Sequence, residues 1–298
     1  MTRLRLFLKN STSTARNSLC LISLLLFFGC SSSIEPTYTK ENIVESLANL
    51  CKNEYKVDVV IKLAGKTLWI YVPIDADLIA KEDKPKKYSE RFAIEENKSI
   101  LKDGVFNLEY KIKIVPEKEL FQQYKYNKEN IEKANSVWKA LRRVIFSMKH
   151  QDRDGPYLFC MVTADIKNGY ETKETFYYLD IKKVSYEFIS WTEYQHRAVE
   201  DTSVGLEIIG DKEGRHITYK DISMGDFIAM QIQHRVKLKF QKPEVQQNAD
   251  IDKEILKLAI NTVRIYGFKD FSFLQLKNLL TENRIFLNRA AALSKPID

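Results

Sequence analysis

Val57-Asp58-Val59-Val60-Ile61-Lys62-Leu63-Ala64-Gly65-Lys66-Thr67-Leu68-Trp69-Ile70-Tyr71-Val72-Pro73 is the stretch whose reading decides the fold. Val57, Val59, Ile61 and Leu63 alternate with Asp58 and Lys62. Ala64-Gly65 supplies a turn, and Leu68, Ile70 and Val72 return on the same parity. A period of two on both sides of a turn predicts an antiparallel hairpin with one buried face. Pro73 has no backbone donor and is expected to end it. Trp69 and Tyr71 share the other face, where packing against a covering element is expected.

Outward from this hairpin, helices and strands mix without a repeating strand–helix order. Upstream, Thr39 can cap a helix to about Cys51 with Ile43, Leu47 and Leu50 on one face. Downstream, residues 75–104 are charged and weakly periodic and read as an irregular loop. Tyr110, Ile112 and Ile114 then alternate with Lys111 and Lys113 as a strand. Residues 128–149 carry Ile131, Ala134, Trp138, Leu141, Ile145 and Met148 at helical spacing. Asn168-Gly169 joins two further strands, 158–166 and 172–179. Asp180 can cap a helix with Ile181, Val184, Phe188 and Trp191 on its inner face. A hairpin is expected over 203–219, a helix over 221–232 and a strand over 235–241. The C-terminal part reads as helix: one capped by Asp250 and stopped at Gly267, another opened by the capping-box spacing of Ser272 and Gln275. The expected class is α+β, with antiparallel β-hairpins packed against helices and a helical C-terminal region. The globular part spans residues 39–298, with a division near 125 or 245 left open.

The N-terminus has a different grammar. Arg3, Arg5, Lys9 and Arg16 stand without an acidic residue, before an apolar run from Leu19 to Phe28 broken only by Ser23. Gly29, Cys30 and Ser31-Ser32-Ser33 follow. These are the parts of a secretory signal. The apolar run is shorter than the roughly 20 residues of a spanning helix. Residues 1–33 resemble the bacterial lipoprotein signal class. Gly29 is the small residue before the cut; Phe27 and Phe28 stand where the class favours Leu and a small residue. The resemblance implies cleavage between Gly29 and Cys30, acylation of Cys30, and residues 30–38 as a lipidated tether. Ser31 is not the Asp associated with inner-membrane retention. The class therefore implies a place in the cell envelope, on the periplasmic face of the outer membrane of a diderm source. The membrane, reached through the lipid on Cys30, is the implied partner.

Loss of residues 1–29 takes four basic residues from 47 and no acidic residue from 40, which reduces the charge from +7 to +3. A small charge of mixed sign, in an exported chain, argues against nucleic acid as a partner. Two cysteines remain beyond the anchor, Cys51 and Cys160. Both sit in apolar runs, and buried free thiols are expected over a bridge.

No nucleophile elbow, zinc-protease helix or phosphate-binding glycine loop is present. His150, His196, His216 and His234 show no metal-ligand spacing. Glu193 and His196 share a helix face and read as a surface pair. No catalytic, metal or cofactor residue is assigned. Trp69, Trp138 and Trp191 could wall a sugar-binding cleft, but Trp138 and Trp191 are expected in the core. Two functional readings remain. One is a lipid-anchored envelope protein that binds or scaffolds an envelope protein, a hydrophobic ligand or a glycan, which predicts an exposed apolar patch. The other is an envelope hydrolase, which predicts a cleft where carboxylates meet His196 or His234.

Overall fold

The computed structural model describes residues 38–148, 155–241, 245–246 and 248–294. The signal, Gly29, Cys30 and His150 lie outside them. The α+β expectation is met by seven helices and two mixed sheets among the described residues. In chain order the elements are α1 (Ile43–Tyr55), β1 (Val60–Ala64), β2 (Thr67–Ile74), β3 (Ile79–Lys102), β4 (Val105–Tyr126) and α2 (Lys128–Phe146). Then come β5 (Leu158–Asp165), β6 (Tyr170–Tyr177), α3 (Tyr178–Ser185), α4 (Trp191–Arg197) and β7 (Val199–Val204). The chain closes with α5 (Met224–Gln241), α6 (Ile251–Ile265), β8 (Phe273–Asn278), β9 (Arg284–Asn288) and α7 (Arg289–Ser294).

The first sheet has the order β1-β2-β5-β6-β7, with β2 and β5 parallel and the other pairs antiparallel. Its hairpin pairs Leu63 with Leu68 across Gly65, whose φ of 58° is the left-handed turn conformation. One face packs Ile70, Val72, Phe159 and Met161 under Ile43 and Leu47 of α1 and Leu141 and Val144 of α2. The other face buries Trp69, Tyr71, Leu158, Cys160 and Val162 under Ile208, Ile222 and Phe227. Trp69 and Tyr71 are therefore packed, as expected. Pro73 does not end the strand. The β1 pairing stops at Tyr71, so residues 72–74 lie beyond that neighbour, where a missing N–H breaks no ladder.

The second sheet has the order β3-β4-β8-β9 and packs on α5 and α6 around Phe106, Leu108, Ile228, Ile232, Ala259 and Leu274. Four expectations are corrected here. Residues 75–104 are no loop, since 79–102 form the long strand β3 against β4. Its turn is Asp103-Gly104, with φ of 50° and 74°, a dipeptide that favours tight hairpins. Much of this ribbon is solvated and carries ion pairs such as Arg91–Glu117 and Lys111–Glu95, so no apolar alternation marks β3; in β4 Phe106, Leu108, Tyr110 and Ile112 do alternate inward, and the strand expected at Tyr110 is there. Residues 235–241 are no strand, because α5 runs from 224 to 241 as a single helix. It is wedged between Phe227's core and that of Ile228, Ile232, Val236 and Phe240, and burial on several sides erases the helical period. The hairpin over 203–219 is replaced by β7 on β6, a short 3-10 turn and irregular chain. Finally, 272–288 are strands rather than helix: Leu274 and Leu276 alternate inward, and Ser272 N–H donates to the Gly104 carbonyl at 2.7 Å. The helical reading of the C-terminal region holds for α6, capped by Asp250 accepting from Lys253 N–H at 3.1 Å.

Buried charge links the helices over the two sheets. Arg197 donates to Asp180 and to Glu193, both at 2.8 Å. Tyr266 Oη reaches Asp180 at 2.9 Å and Arg235 of α5 reaches Glu193 at 3.0 Å. Every charge in this cluster has an opposite partner, which is the condition for its burial. Both described cysteines are buried and free.

Candidate functional site

The helix-facing side of the first sheet is not fully covered. Helices α1 and α2 roof β1, β2 and β5, while β6 and β7 run on towards α4 and the middle of α5. A cavity of about 740 Å³ remains between them, within the range of small-ligand sites. Its floor is set by strand register. Met161, Glu174 and Glu200 form one cross-strand row, and Thr163 and Thr172 belong to the next. Glu174 takes the parity of Phe176, so the pleat aims a carboxylate at the face that Phe176 helps to bury.

The walls are aromatic. Tyr194 of α4 lies parallel to Phe176 at 6.2 Å and meets Trp138 of α2 edge-on at 6.2 Å. Trp191, at the start of α4, stands edge-to-face with Trp138 at 6.0 Å. The Arg142 guanidinium lies 4.9 Å above the Trp138 ring. Trp191 is 55% exposed and rims the cavity, so the core placement expected for it does not hold. The reason is local: the helix expected over 180–191 breaks at Glu187, whose φ is 61°, and restarts at Ser190, which accepts from Glu193 N–H at 3.1 Å.

Several polar groups of this cavity are left without partners. Burial pushes the Glu174 carboxyl up to about 7, and the facing Glu200 pushes it the same way. Glu174 makes no hydrogen bond or ion pair among the described residues. Like charges directly opposite on neighbouring strands repel. Glu200, exposed at the rim, accepts from Tyr126 Oη at 3.0 Å. His234 of α5 also lines the cavity, and its buried Nδ1 has no partner. Burial, then Lys237, Arg235 and His196, pull His234 down to about 4, so it is neutral at pH 7. The Tyr194 hydroxyl is buried; Trp138 approaches it without reaching hydrogen-bond geometry. Burial raises its pKa well above the usual phenol range.

His196 and His234 thus line one cavity with the carboxylates of Glu132, Glu174 and Glu200. No family, no curated protein and no solved structure matches this chain. Glu193, paired by expectation with His196, instead binds Arg197 and Arg235. His216 lies on the opposite face of the sheet, held by Asp211 and Glu171. Among the described residues no group of three or more His, Cys, Asp or Glu could hold a metal ion. Among them, too, no helix is long and apolar enough to cross a membrane. Sequence reasoning missed Glu174 and Glu200. The parity that Glu174 shares with Phe176 was a usable signal; the pairing of β6 with β7 that brings Glu200 opposite was not.

Proposed function

We propose that this chain is a lipid-anchored cell-envelope protein, held at the membrane by acylated Cys30, that binds a glycan or similar polyhydroxylated ligand in the cavity beneath Trp138 and Trp191. The lipoprotein-type signal supports the address. The ligand reading is carried by one observation: His234 Nδ1 and Tyr194 Oη are buried without partners, and the half-buried Glu174 carboxyl, which makes no hydrogen bond among the described residues, lines the same aromatic-walled space. Buried polar groups are nearly always hydrogen-bonded, and unpaired groups gathered in one cavity are explained by a ligand that supplies the bonds. A sugar offers C–H faces for the indoles and hydroxyls for the acceptors. Intrinsic tryptophan fluorescence, titrated with neutral and N-acetylated oligosaccharides, tests this. Saturable quenching that Trp138→Ala and Trp191→Ala each weaken at least tenfold is the expected result. No response to any oligosaccharide rejects the ligand class.

A second reading, hydrolysis of a glycosidic bond, is favoured by the Glu174–Glu200 register. Directly opposed carboxylates on neighbouring strands are the paired arrangement that a retaining mechanism needs. One protonates the leaving oxygen while the other attacks the anomeric carbon, and water, deprotonated by the first, then releases the sugar from the second. Glu174, holding its proton near neutrality, takes the acid role and Glu200 the nucleophile's. Aryl-glycoside turnover that vanishes in both Glu174→Gln and Glu200→Gln decides for it; binding without turnover decides for the first reading.

A further inference from the structure

Phe146, Tyr186 and Phe188 form an exposed aromatic patch: Tyr186 is 62% and Phe188 79% exposed, and Phe146 is the most sheltered of the three. Their rings are in series, Phe146 to Tyr186 at 5.3 Å and Tyr186 to Phe188 at 6.4 Å. Single exposed aromatics are ordinary; three in a contiguous row form the kind of apolar patch that marks an interaction surface. The loop is built to present them. Helix α3 ends with Phe188 N–H on the Lys183 carbonyl at 2.8 Å and Glu187 N–H on Val184 at 3.2 Å. Glu187 occupies the left-handed position that usually takes glycine. Such a motif commonly folds its following apolar residue back on the helix, yet here Phe188 stays in solvent.

The first described residue ends at this patch. Tyr38 N–H donates to the carbonyl of Ser147, next to Phe146, at 3.1 Å, and Tyr38 bridges Met148. Cys30 is eight residues earlier. Eight residues reach at most ~28 Å when fully extended. A lipid on Cys30 therefore holds the Phe146 end of α2 close to a bilayer. The flanks are basic: Lys182 and Lys183 on α3, and Arg142 and Arg143 on α2, with Arg143 paired to Glu54. Glu187 is the one acidic residue between 182 and 191. Exposed aromatic rings on segments that also carry Lys and Arg are a composition that settles at a membrane–water interface.

We infer that the Phe146–Tyr186–Phe188 patch rests on the headgroup region of the anchoring membrane and fixes the orientation of the domain above it. The inference rests on Cys30 acylation. Trp191, three residues beyond Phe188, is the natural reporter.

The test places the full-length lipidated protein in vesicles containing anionic phospholipid and compares quenching of tryptophan emission by lipids brominated near the headgroup. Trp191→Phe assigns the signal. Tyr186→Ser/Phe188→Ser is expected to keep its lipid mass, vesicle flotation and thermal melt while quenching falls at least twofold. Unchanged quenching in a lipidated, folded double variant overturns the membrane contact and leaves the anchor standing. A quenching-neutral variant that shifts from dimer to monomer overturns it in favour of a second copy as the partner. Absence of a lipid mass on the wild type shows that the anchor reading itself has failed, and the contact falls with it.

Discussion

Glu171 and Glu174 stand three residues apart on β6 and face opposite sides of one sheet. Glu171 accepts from His216 Nε2 at 2.8 Å while Asp211 holds Nδ1 at 2.5 Å. Ser203 Oγ also donates to Glu171, at 2.8 Å, and the Asp211 carboxylate takes the backbone N–H of Glu213 and His216. Every polar atom of that imidazole is matched. Across the sheet, Glu174 opposes another carboxylate and His234 leaves a buried nitrogen bare. Two carboxylate–histidine groups in one protein thus have opposite characters. The matched one is closed chemistry that stabilises the fold. The unmatched one is maintained at a cost and opens on a cavity, which is the pattern of a binding or reacting site.

The sharpest way to break this contrast is His216→Ala. It strands two largely buried carboxylates, and removal of one partner from a buried charge cluster costs about 3–5 kcal/mol. Urea denaturation at pH 6 should show a loss of that size. A change below 1 kcal/mol would mean that the cluster is solvated and that its closure has been misread. The cluster also has a pH window. Burial alone would lower the His216 pKa, but Asp211 and Glu171 outweigh it and raise it above the usual 6.5. Its contribution is therefore complete below 6.5 and is lost as pH rises through the folded value. Burial would raise Asp211, but His216 and the backbone N–H groups outweigh it and bring it down to about 2. That contribution is present above the ordinary 3.8 and fades as pH falls towards 2. The latch is strongest between these limits.

Glu174 has the reverse sign. Its folded value of about 7 lies above the ordinary 4.5, so the protonated form is favoured in the fold. Stability is greatest below 4.5 and decreases as pH rises through 7. The penalty, once the carboxyl is ionised, is of the order of 3 kcal/mol from the shift. Glu174→Gln should then be more stable than wild type at pH 9, by about 1–3 kcal/mol, and close to it at pH 5. Thermal melts at the two pH values measure this. Equal melting differences at both would place Glu174 in water and remove the asymmetry between the faces.

The legibility of the chain follows the same division. Helix α2 was plain in the sequence because one of its faces is wet and the other dry, and the hairpin at 57–72 and the turn at Asn168-Gly169 were plain because their turn residues and, in β1, the alternation of Val59, Ile61 and Leu63 with Lys62 are local signals. Helix α5 was legible only over its first half, because both cores claim it, and of the ribbon only the Tyr110–Ile114 part of β4 was legible, while β3 was not, because most of it is wet. The second helix expected at 272 failed for another reason. Ser272 and Gln275 carry a local capping signal, but Leu274 and Leu276 gain more from the edge of β4, a contact between residues more than 160 positions apart. The cavity suffers most from this blindness. Trp138 and Trp191 were visible as sugar-wall candidates, and His196 and His234 as possible members of a cleft. Only the fold brings them to Glu174 and Glu200.

The smallest effect makes the finest comparison, since it sets two tyrosine hydroxyls against each other. Tyr71 Oη donates to the Asp211 carbonyl at 2.5 Å, on the matched side of the sheet. Tyr194 Oη, on the unmatched side, donates to no one. Loss of a bonded hydroxyl leaves a carbonyl to be resatisfied and costs about 0.5–1.5 kcal/mol. Loss of an unbonded one removes a desolvation penalty and leaves nothing stranded. Tyr71→Phe should therefore lower stability by about 1 kcal/mol, while Tyr194→Phe should leave it unchanged or raise it slightly. Binding should respond the other way. A ligand that satisfies Tyr194 Oη loses one hydrogen bond in Tyr194→Phe, roughly a tenfold weakening, and none in Tyr71→Phe. Denaturation and oligosaccharide titration on the same two variants give four numbers. If Tyr194→Phe proves as destabilising as Tyr71→Phe, its hydroxyl has a partner within the protein, and the cavity loses one of the three bare groups on which its reading depends.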